Sequence, residues 1–470
     1  ITGQVARAMI GRDAFQETDV VGITLPITKH SVMVQDIDEL ADIVREAFHI
    51  AQEGRPGPVL VDIPKDVQTA KAEWHAGEAA ADAAPGDGAN GGRPGTAATE
   101  QALHAAAELL AHAERPLIMA GHGVILADAC PELRALAERT GVPVITTLLG
   151  ISTFPDGHAL HLGMPGMHGE VHVNRAIQQA DVILGVGLRF DDRVTGNVGG
   201  FARQARIIHI DVDRTEIGKN VPTEVGLVGD AKQLLCALLG RVPRRECRAW
   251  RDEIAGLRRE REEHYRGDVA PDRILRAIRE ASGPEAAIVS DVGQHQMWVA
   301  KLYPYTHPNS HFSSGGLGTM GFAVPAAMGV HFARPGTPVW AISGDGGFQM
   351  NLQEIATMVQ ERIPIKLAVF NNGYLGMVRQ WQQLFHGRRY SATPIWSPNF
   401  VRLAEAYGIA GWRVEHGEEI DGAVQAALAA PGPALIEFVI EQEANVYPIV
   451  PPGGSLSESI PDQRAALALA

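Results

Sequence analysis

Short apolar runs alternate with amphipathic helical stretches along most of this 470-residue chain, and no other feature constrains its fold as much. PLIMAG (116–121), VPVITTLL (142–149), DVILGVG (181–187) and RIIHIDVD (206–213) read as buried parallel strands. AAIVSDVG (286–293), TPVWAISGDGG (337–347), IPIKLAVFNNG (363–373) and GPALIEFVI (432–440) continue the pattern. Strands separated by helices imply right-handed crossovers, which predicts an α/β fold of doubly wound parallel sheets. PGPVLVD (56–62) and PGPALIE (431–437) echo one another as a Pro/Gly turn feeding a buried strand. That echo hints at a shared topology in the first and last domains.

At about 150 residues per domain, the length suggests two to four domains. Residues 78–99, EAAADAAPGDGANGGRPGTAAT, have no apolar periodicity and read as a flexible linker. The charge-rich residues 244–268 read as a solvated helix leading into a second linker. A net charge of −14 argues against a general nucleic-acid surface, although a helix N-terminus can still hold phosphate. Cys130, Cys236 and Cys247 form no C-x-x-C pair, which argues against a disulfide framework or zinc site. No apolar run approaches the roughly 18 residues of a membrane span. A large cytoplasmic protein without membrane attachment is expected. The first residue is Ile1 rather than Met, so the chain is expected to be clipped at its N-terminus.

The most specific chemistry lies between Val339 and Met377. Gly344-Asp345-Gly346-Gly347 follows one apolar run, a helical pattern covers about 351–360, and Asn371-Asn372-Gly373 ends the next run. Both turns therefore sit at the carboxyl ends of consecutive strands, where open α/β sheets bind ligands. Asp345 can offer a carboxylate oxygen and Asn372 an amide oxygen to a hard cation such as magnesium, which takes its remaining ligands from water and phosphate. Either turn alone would be unremarkable, and Gly86-Asp87-Gly88 in the linker is such a case. Together, 27 residues apart, they resemble the thiamine diphosphate motif. The run Gly316-Leu317-Gly318-Thr319-Met320-Gly321 matches a dinucleotide fingerprint. The preceding HPNSHFSSG is an unconvincing strand, however, and no acidic residue follows about 20 positions on.

Several longer segments resemble the acetohydroxyacid synthase (acetolactate synthase) large-subunit family. ITGQV, IGRDAFQET and RPGPVLVDIPKDV are similar to the family's pyrimidine-binding domain. PGMHG, GLRFDDRVTG and HIDVDRTEIGKN are similar to its FAD-carrying middle domain. SDVGQHQMW, SGGLGTMGFAVPAAMG, GDGGFQMN and NNGYLGMVRQW are similar to its diphosphate-binding domain. The implied organisation is a partial pyrimidine-binding domain over 1–77, the linker over 78–99, an FAD domain over 100–243, the charged helix and linker over 244–268, and a diphosphate/magnesium domain with C-terminal tail over 269–470.

The resemblance implies magnesium ligands at Asp345, Asn372 and the Tyr374 carbonyl. It implies a thiamine diphosphate site made by Gln294, His295, Gly346, Gly347, Gly373, Leu375 and Gly376, with Gly318, Thr319 and Met320 against the cofactor rings. For FAD it points to Gly121, Gly123, Thr147, Leu148, Gly166, Met167, His168, Gly187, Leu188, Arg189, Asp191, Asp211, Val212, Asp230 and Ala231. The flavin would do no net redox work. Arg193 would hold the carboxylate of the acceptor 2-oxo acid, since guanidinium matches carboxylate bidentately. Met377 and Trp381 would shape the acceptor pocket, and Phe15 and Gln16 would come from a neighbouring subunit.

The implied reaction decarboxylates pyruvate and transfers the two-carbon unit to pyruvate or 2-oxobutyrate. It serves branched-chain amino-acid biosynthesis, in a homodimer or tetramer with a small regulatory subunit. The family's activating glutamate lies upstream of ITGQV. Within this chain only Val414-Glu415-His416-Gly417 resembles its segment, and it is out of place. A shortened first domain is therefore expected, with weak or absent activity of this chain as one consequence. The alternatives are an FAD-using pyruvate oxidase or decarboxylase, or a cofactor-binding remnant.

Overall fold

Each apolar run becomes a strand, and the strands assemble into three sheets in which every described register is parallel. The computed structural model describes residues 1–72, 97–258 and 267–469. Contacts divide the chain into two units. One is Ile1–Thr99 with Val212–Arg214 and Val228–Asp230; the other is Glu100–Asp211, Thr215–Leu227 and Ala231–Ala470.

In the first unit, β1 (Thr2–Gln4), β2 (His30–Met33) and β3 (Val59–Pro64) lie in the order β1-β3-β2. The helix Leu40–Gln52 lays Leu40, Ile43 and Ala47 against Val34, Val61 and Val67. Asp62 on the central strand is fully buried and accepts hydrogen bonds from Thr2 Oγ1 (2.9 Å) and Gln4 Nε2 (3.2 Å).

The second unit holds two six-stranded sheets. β4 (Pro116–Ala120), β5 (Val144–Thr146), β6 (His161–Gly163), β7 (Val182–Val186), β8 (Arg206–Asp211) and β9 (Val225–Val228) run in the order β6-β5-β4-β7-β8-β9. β10 (Ala287–Ser290), β11 (His311–Ser313), β12 (Val339–Gly344), β13 (Lys366–Asn371), β14 (Ala410–Val414) and β15 (Ala434–Val439) run in the order β11-β10-β12-β13-β15-β14. Alternate residues of the last sheet enter separate cores: Ile288, Trp340 and Ile342 on one face, Ala287, Val289, Val339 and Ala341 on the other. In each sheet the chain order reverses beside the first strand, at β4/β7 and at β10/β12. Such a reversal opens a crevice at the strands' carboxyl ends.

Two expectations need adjusting. The helix Arg248–Arg258 is not simply solvated. Trp250 and Ile254 are buried in the middle core, and the Trp250 indole N–H donates to the Pro116 carbonyl (3.1 Å). The linker 78–99 lies mostly outside the described residues, and its last residues already belong to the helix Ala97–His112. Residues 259–266 of the second linker also lie outside the described residues. Among the described residues, no helix is long and apolar enough to cross a membrane.

Candidate active site

β12 delivers Asp345 and β13 delivers Asn372 to the same edge, because the two strands are parallel neighbours with Gly344 opposite Phe370. The expected helix near 351–360 is present as Glu354–Gln360, and a short helix Asp345–Met350 precedes it, with GDGG as its cap and first turn. Asp345 is 1 % exposed, and its Oδ2 accepts the Gly373 N–H (3.1 Å) and the Ser397 hydroxyl (3.1 Å). The Asn372 side-chain oxygen accepts the amide two residues on, Tyr374 N–H (3.1 Å). The carboxylate and the amide oxygen thus both engage one tight turn.

Burial pushes the Asp345 carboxyl up to about 6, against the opposing Ser397 and Gly373 hydrogen bonds. Among the described residues Asp345 forms no ion pair, so a cation there would offset the desolvation of its charge. No group of three or more His, Cys, Asp or Glu side chains is arranged to hold a metal among the described residues. One carboxylate, one amide oxygen and a backbone carbonyl suit magnesium, which keeps several ligands from water and phosphate.

Beneath this turn lies an amide network. Asn372 Nδ2 donates to Gln294 Oε1 (3.3 Å), and Gln294 Nε2 donates to Gln380 Oε1 (2.9 Å). Gln380 is fully buried and also grips Val446 through its backbone N–H (2.9 Å) and C=O (2.8 Å). Gly376 leaves room for this network, since a Cβ there would lie 2.1 Å from Gln294 Oε1 and 2.8 Å from Asn372 Nδ2 and would push both amides aside. Gly376→Ala is expected to cost about 1–3 kcal/mol through this overlap, visible as a lower denaturant midpoint.

Asp291, directly after β10, joins the remaining turns. Its Oδ1 accepts Val292 N–H (2.8 Å) and Gly321 N–H (2.9 Å), and its Oδ2 accepts Ala323 N–H (3.0 Å). The loop carrying Gly318, Thr319 and Met320 is thereby tied to the end of the sheet. The Met320 methyl lies 3.6 Å from the position a side chain on Gly346 would take, so Met320 reaches the GDGG turn. His295 is buried and pushed down to about 4 by desolvation, and its Nε2 accepts Gly344 N–H (3.2 Å) as a neutral imidazole. A strand, β11, does precede the run 316–321, contrary to expectation. The first amide of the following helix Ala323–Ala333 and the Gly321 N–H just before it are nevertheless taken by the Asp291 carboxylate, whose negative charge makes that end unsuited to a pyrophosphate.

The FAD candidates gather mostly at the β4/β7 reversal. Gly123 N–H donates to Gly187 O (3.0 Å), and a Cβ on Gly187, already at φ +60, would fall 2.5 Å from Gly123 Cα. Thr147 N–H bonds Ala120 O (3.0 Å), which brings Thr147 and Leu148 beside Gly121. Met167 N–H donates to Arg193 O (2.9 Å), joining the Gly166–His168 turn to the segment holding Arg189 and Asp191, which pair at 3.0 Å. His168 is pushed down to about 4 by burial, and its Nδ1 is buried without a partner among the described residues. An unmatched buried nitrogen in this turn fits an absent group. Asp211 ends β8 and Ala231 opens the helix Ala231–Leu239, whereas Val212 and Asp230 belong to the first unit.

Arg193 Nη1 contacts Met167 Sδ (3.2 Å) and its side chain remains 61 % exposed. Met167 packs against a small core of Tyr447, Ile449, Ile460 and Ala466, as do Leu384 and Phe385 at the end of the helix Gly376–Phe385. That helix presents Met377 and Trp381 to a cleft of about 600 Å³ shared with His386 and Arg389. Phe15 and Gln16 lie in the first unit, where Phe15 is 89 % exposed. The Val414–Gly417 segment follows the edge strand β14, away from both reversals.

Asp291, Gln380 and Ser397 were not among the sequence candidates. Asp291 had a usable signal, an acid directly after a buried strand as in Asp345, and Gln380 lies inside GMVRQW. Ser397 had none.

Residues 291–438 match the model of the thiamine pyrophosphate enzyme C-terminal TPP binding domain, and residues 103–238 match that of the thiamine pyrophosphate enzyme central domain. An acetolactate synthase of Mycobacterium bovis is 46% identical over 474 residues, covering 97% of this chain and 76% of the relative. An acetolactate synthase large subunit of Corynebacterium glutamicum is 45% identical over 475 residues, covering 97% and 74%. The acetolactate synthase isozyme 2 large subunit of Escherichia coli K12 is 41% identical over 467 residues, covering 98% and 82%.

Proposed function

The chain belongs to the acetolactate synthase large-subunit family of thiamine pyrophosphate enzymes, and from that premise we propose how its own residues carry the reaction. Bound thiamine diphosphate supplies the electron sink for loss of CO2 from pyruvate and for transfer of the remaining two-carbon unit to pyruvate or 2-oxobutyrate. Asp345, Asn372 and the Tyr374 carbonyl hold magnesium against the diphosphate. Gln294, His295, Gly346, Gly347, Gly373, Leu375 and Gly376 form the cradle, with backbone close enough to meet phosphate oxygens. Gly318, Thr319 and Met320 line the cofactor rings from the loop that Asp291 anchors. The observation that carries this reading is the buried Asp345 carboxyl beside Asn372 at the ends of paired strands, with no cation of its own among the described residues.

Arg193 holds the acceptor's carboxylate through its exposed guanidinium, and Met377 and Trp381 set the shape of the acceptor cleft. The turns at the β4/β7 reversal hold FAD in a structural role. The exposed Phe15, Ile23, Leu25, Ile27 and Phe48 of the first unit suit a subunit interface that brings Phe15 and Gln16 to a neighbour's site. The large-subunit relatives support a small regulatory partner as well.

The test is product analysis with pyruvate, Mg²⁺, thiamine diphosphate and FAD. Acetolactate is expected as the main product formed, however slowly, with 2-aceto-2-hydroxybutyrate when 2-oxobutyrate is added. Acetaldehyde or acetyl phosphate as the main product would favour a decarboxylase or oxidase instead.

A further inference from the structure

We propose that Ser397 is a positioning residue that decides which oxygen of Asp345 faces the cation. The inference rests on the reading of Asp345 as a magnesium ligand. Each carboxylate oxygen carries about two lone-pair sites. On Oδ2 both are used, by the Gly373 N–H and the Ser397 hydroxyl, each at 3.1 Å. The two well-formed hydrogen bonds to the Asp345 side chain both fall on that one oxygen; the amides of Asp345 itself and Gly346 steady the carboxylate more weakly, and Oδ1 is the oxygen left to meet a metal.

The hydroxyl is held in place by the segment that carries it. Leu375 N–H bonds Thr393 O (2.9 Å), and Ile395 N–H bonds Gly373 O (3.0 Å). Tyr374 and Pro394 form an isolated antiparallel bridge. Gln349 Nε2 donates to Trp396 O (3.3 Å). Upstream, Arg379 is stacked between the rings of Tyr374 (4.9 Å) and Tyr390 (4.6 Å), and Ser391 exchanges two 3.0 Å bonds with Gln382. Downstream, Phe400 is fully buried in the core. Ser397 is thus clamped on both sides, and its hydroxyl meets Oδ2 as a consequence of that clamp. Outer-shell hydrogen bonds of this kind orient ligating carboxylates, and their loss typically weakens metal binding about 10–100-fold.

The test measures Mn²⁺ binding by electron paramagnetic resonance in the presence of thiamine diphosphate, for the unaltered protein, Ser397→Ala, Ser397→Thr and Asp345→Asn. Ser397→Ala is expected to bind Mn²⁺ about tenfold more weakly. Its KM for metal should rise while kcat at saturating metal stays within about twofold, because the ligand itself is intact. Ser397→Thr, which keeps the hydroxyl, should restore binding to within about twofold. Mn²⁺ affinity of Ser397→Ala within about twofold of the unaltered protein would overturn the proposal, as would equal weakness of the Thr variant. If Asp345→Asn binds Mn²⁺ as well as the unaltered protein, the magnesium assignment itself falls, and the Ser397 proposal with it.

Discussion

Asp345→Asn is expected to weaken magnesium binding by more than about 10²-fold, beyond the 10–100-fold typical of an outer-shell loss, because it removes the only carboxylate in the proposed ligand set. Acetolactate formation should fall with it. The substitution keeps size, and with its oxygen at the Oδ2 position the Gly373 and Ser397 bonds can persist, so the effect reports loss of the charge together with the metal-facing oxygen. The pH dependence gives an independent check. Without metal, the Asp345 carboxyl sits near 6, above an ordinary aspartate near 4. Between those values the folded state binds the proton more tightly than the unfolded chain does. This group's contribution to the stability of the metal-free protein is therefore greatest at low pH and is lost as pH rises through about 4 to 6, by about 3 kcal/mol at most. Magnesium competes for the same carboxylate. Its apparent affinity should drop about tenfold per pH unit below about 6 and level off above. The thermal shift produced by magnesium and thiamine diphosphate should be larger at pH 7 than at pH 5, and Asp345→Asn should abolish that difference. Equal shifts at both pH values would count against the assignment.

Asp291→Ala is expected to destabilise the protein by about 3–5 kcal/mol, as a lower denaturant midpoint, and to weaken thiamine diphosphate binding as well. The carboxyl group is 1 % exposed and serves three backbone N–H groups from two separate segments. Without it those donors are buried and unmatched, at about 1–3 kcal/mol each before relaxation. Asp291→Asn isolates the Oδ2 side. Oδ1 can still serve Val292 and Gly321, but an amide NH2 would confront the Ala323 N–H, so a smaller loss of about 1–3 kcal/mol is expected. The loop carrying Gly318, Thr319 and Met320 should loosen in both variants. Cofactor affinity measured by fluorescence titration should follow the order unaltered, Asn, Ala. Cofactor affinity unchanged in a destabilised variant would show that Asp291 holds the fold without shaping the site.

The strands recognised in the sequence have one property in common. β3, β4, β5, β7, β8, β10, β12, β13 and β15 all have a strand on each side. The six that were not recognised, β1, β2, β6, β9, β11 and β14, are the six sheet edges. An inner strand between two helix layers must be apolar on both faces, which writes a continuous run into the chain. An edge strand is short and half-exposed, as in the intermediate burial of all of β6, and nothing obliges its sequence to stand out. The same asymmetry governs the helix Arg248–Arg258, whose charges suggested solvent while Trp250 and Ile254 turned inward.

The site divides along the same line. The turns bearing Asp345 and Asn372 were legible because each follows a recognisable buried strand, and parallel sheets send such turns to one edge; Gly121, Gly187 and Arg193 were named from the family resemblance. Sequence alone therefore determined the fold class, the sheet cores and the residue types that would meet at the strand ends. Which oxygen of Asp345 is left open, how Gln294 and Gln380 knit Asn372 to Val446, and why Asp291 is needed were decided only by tertiary packing. These depend on hydrogen bonds between segments tens to hundreds of residues apart, such as Ser397 to Asp345 or Asn372 to Gln294. A local pattern records what each segment must bury, and it carries no record of which distant donor will fill a particular lone pair.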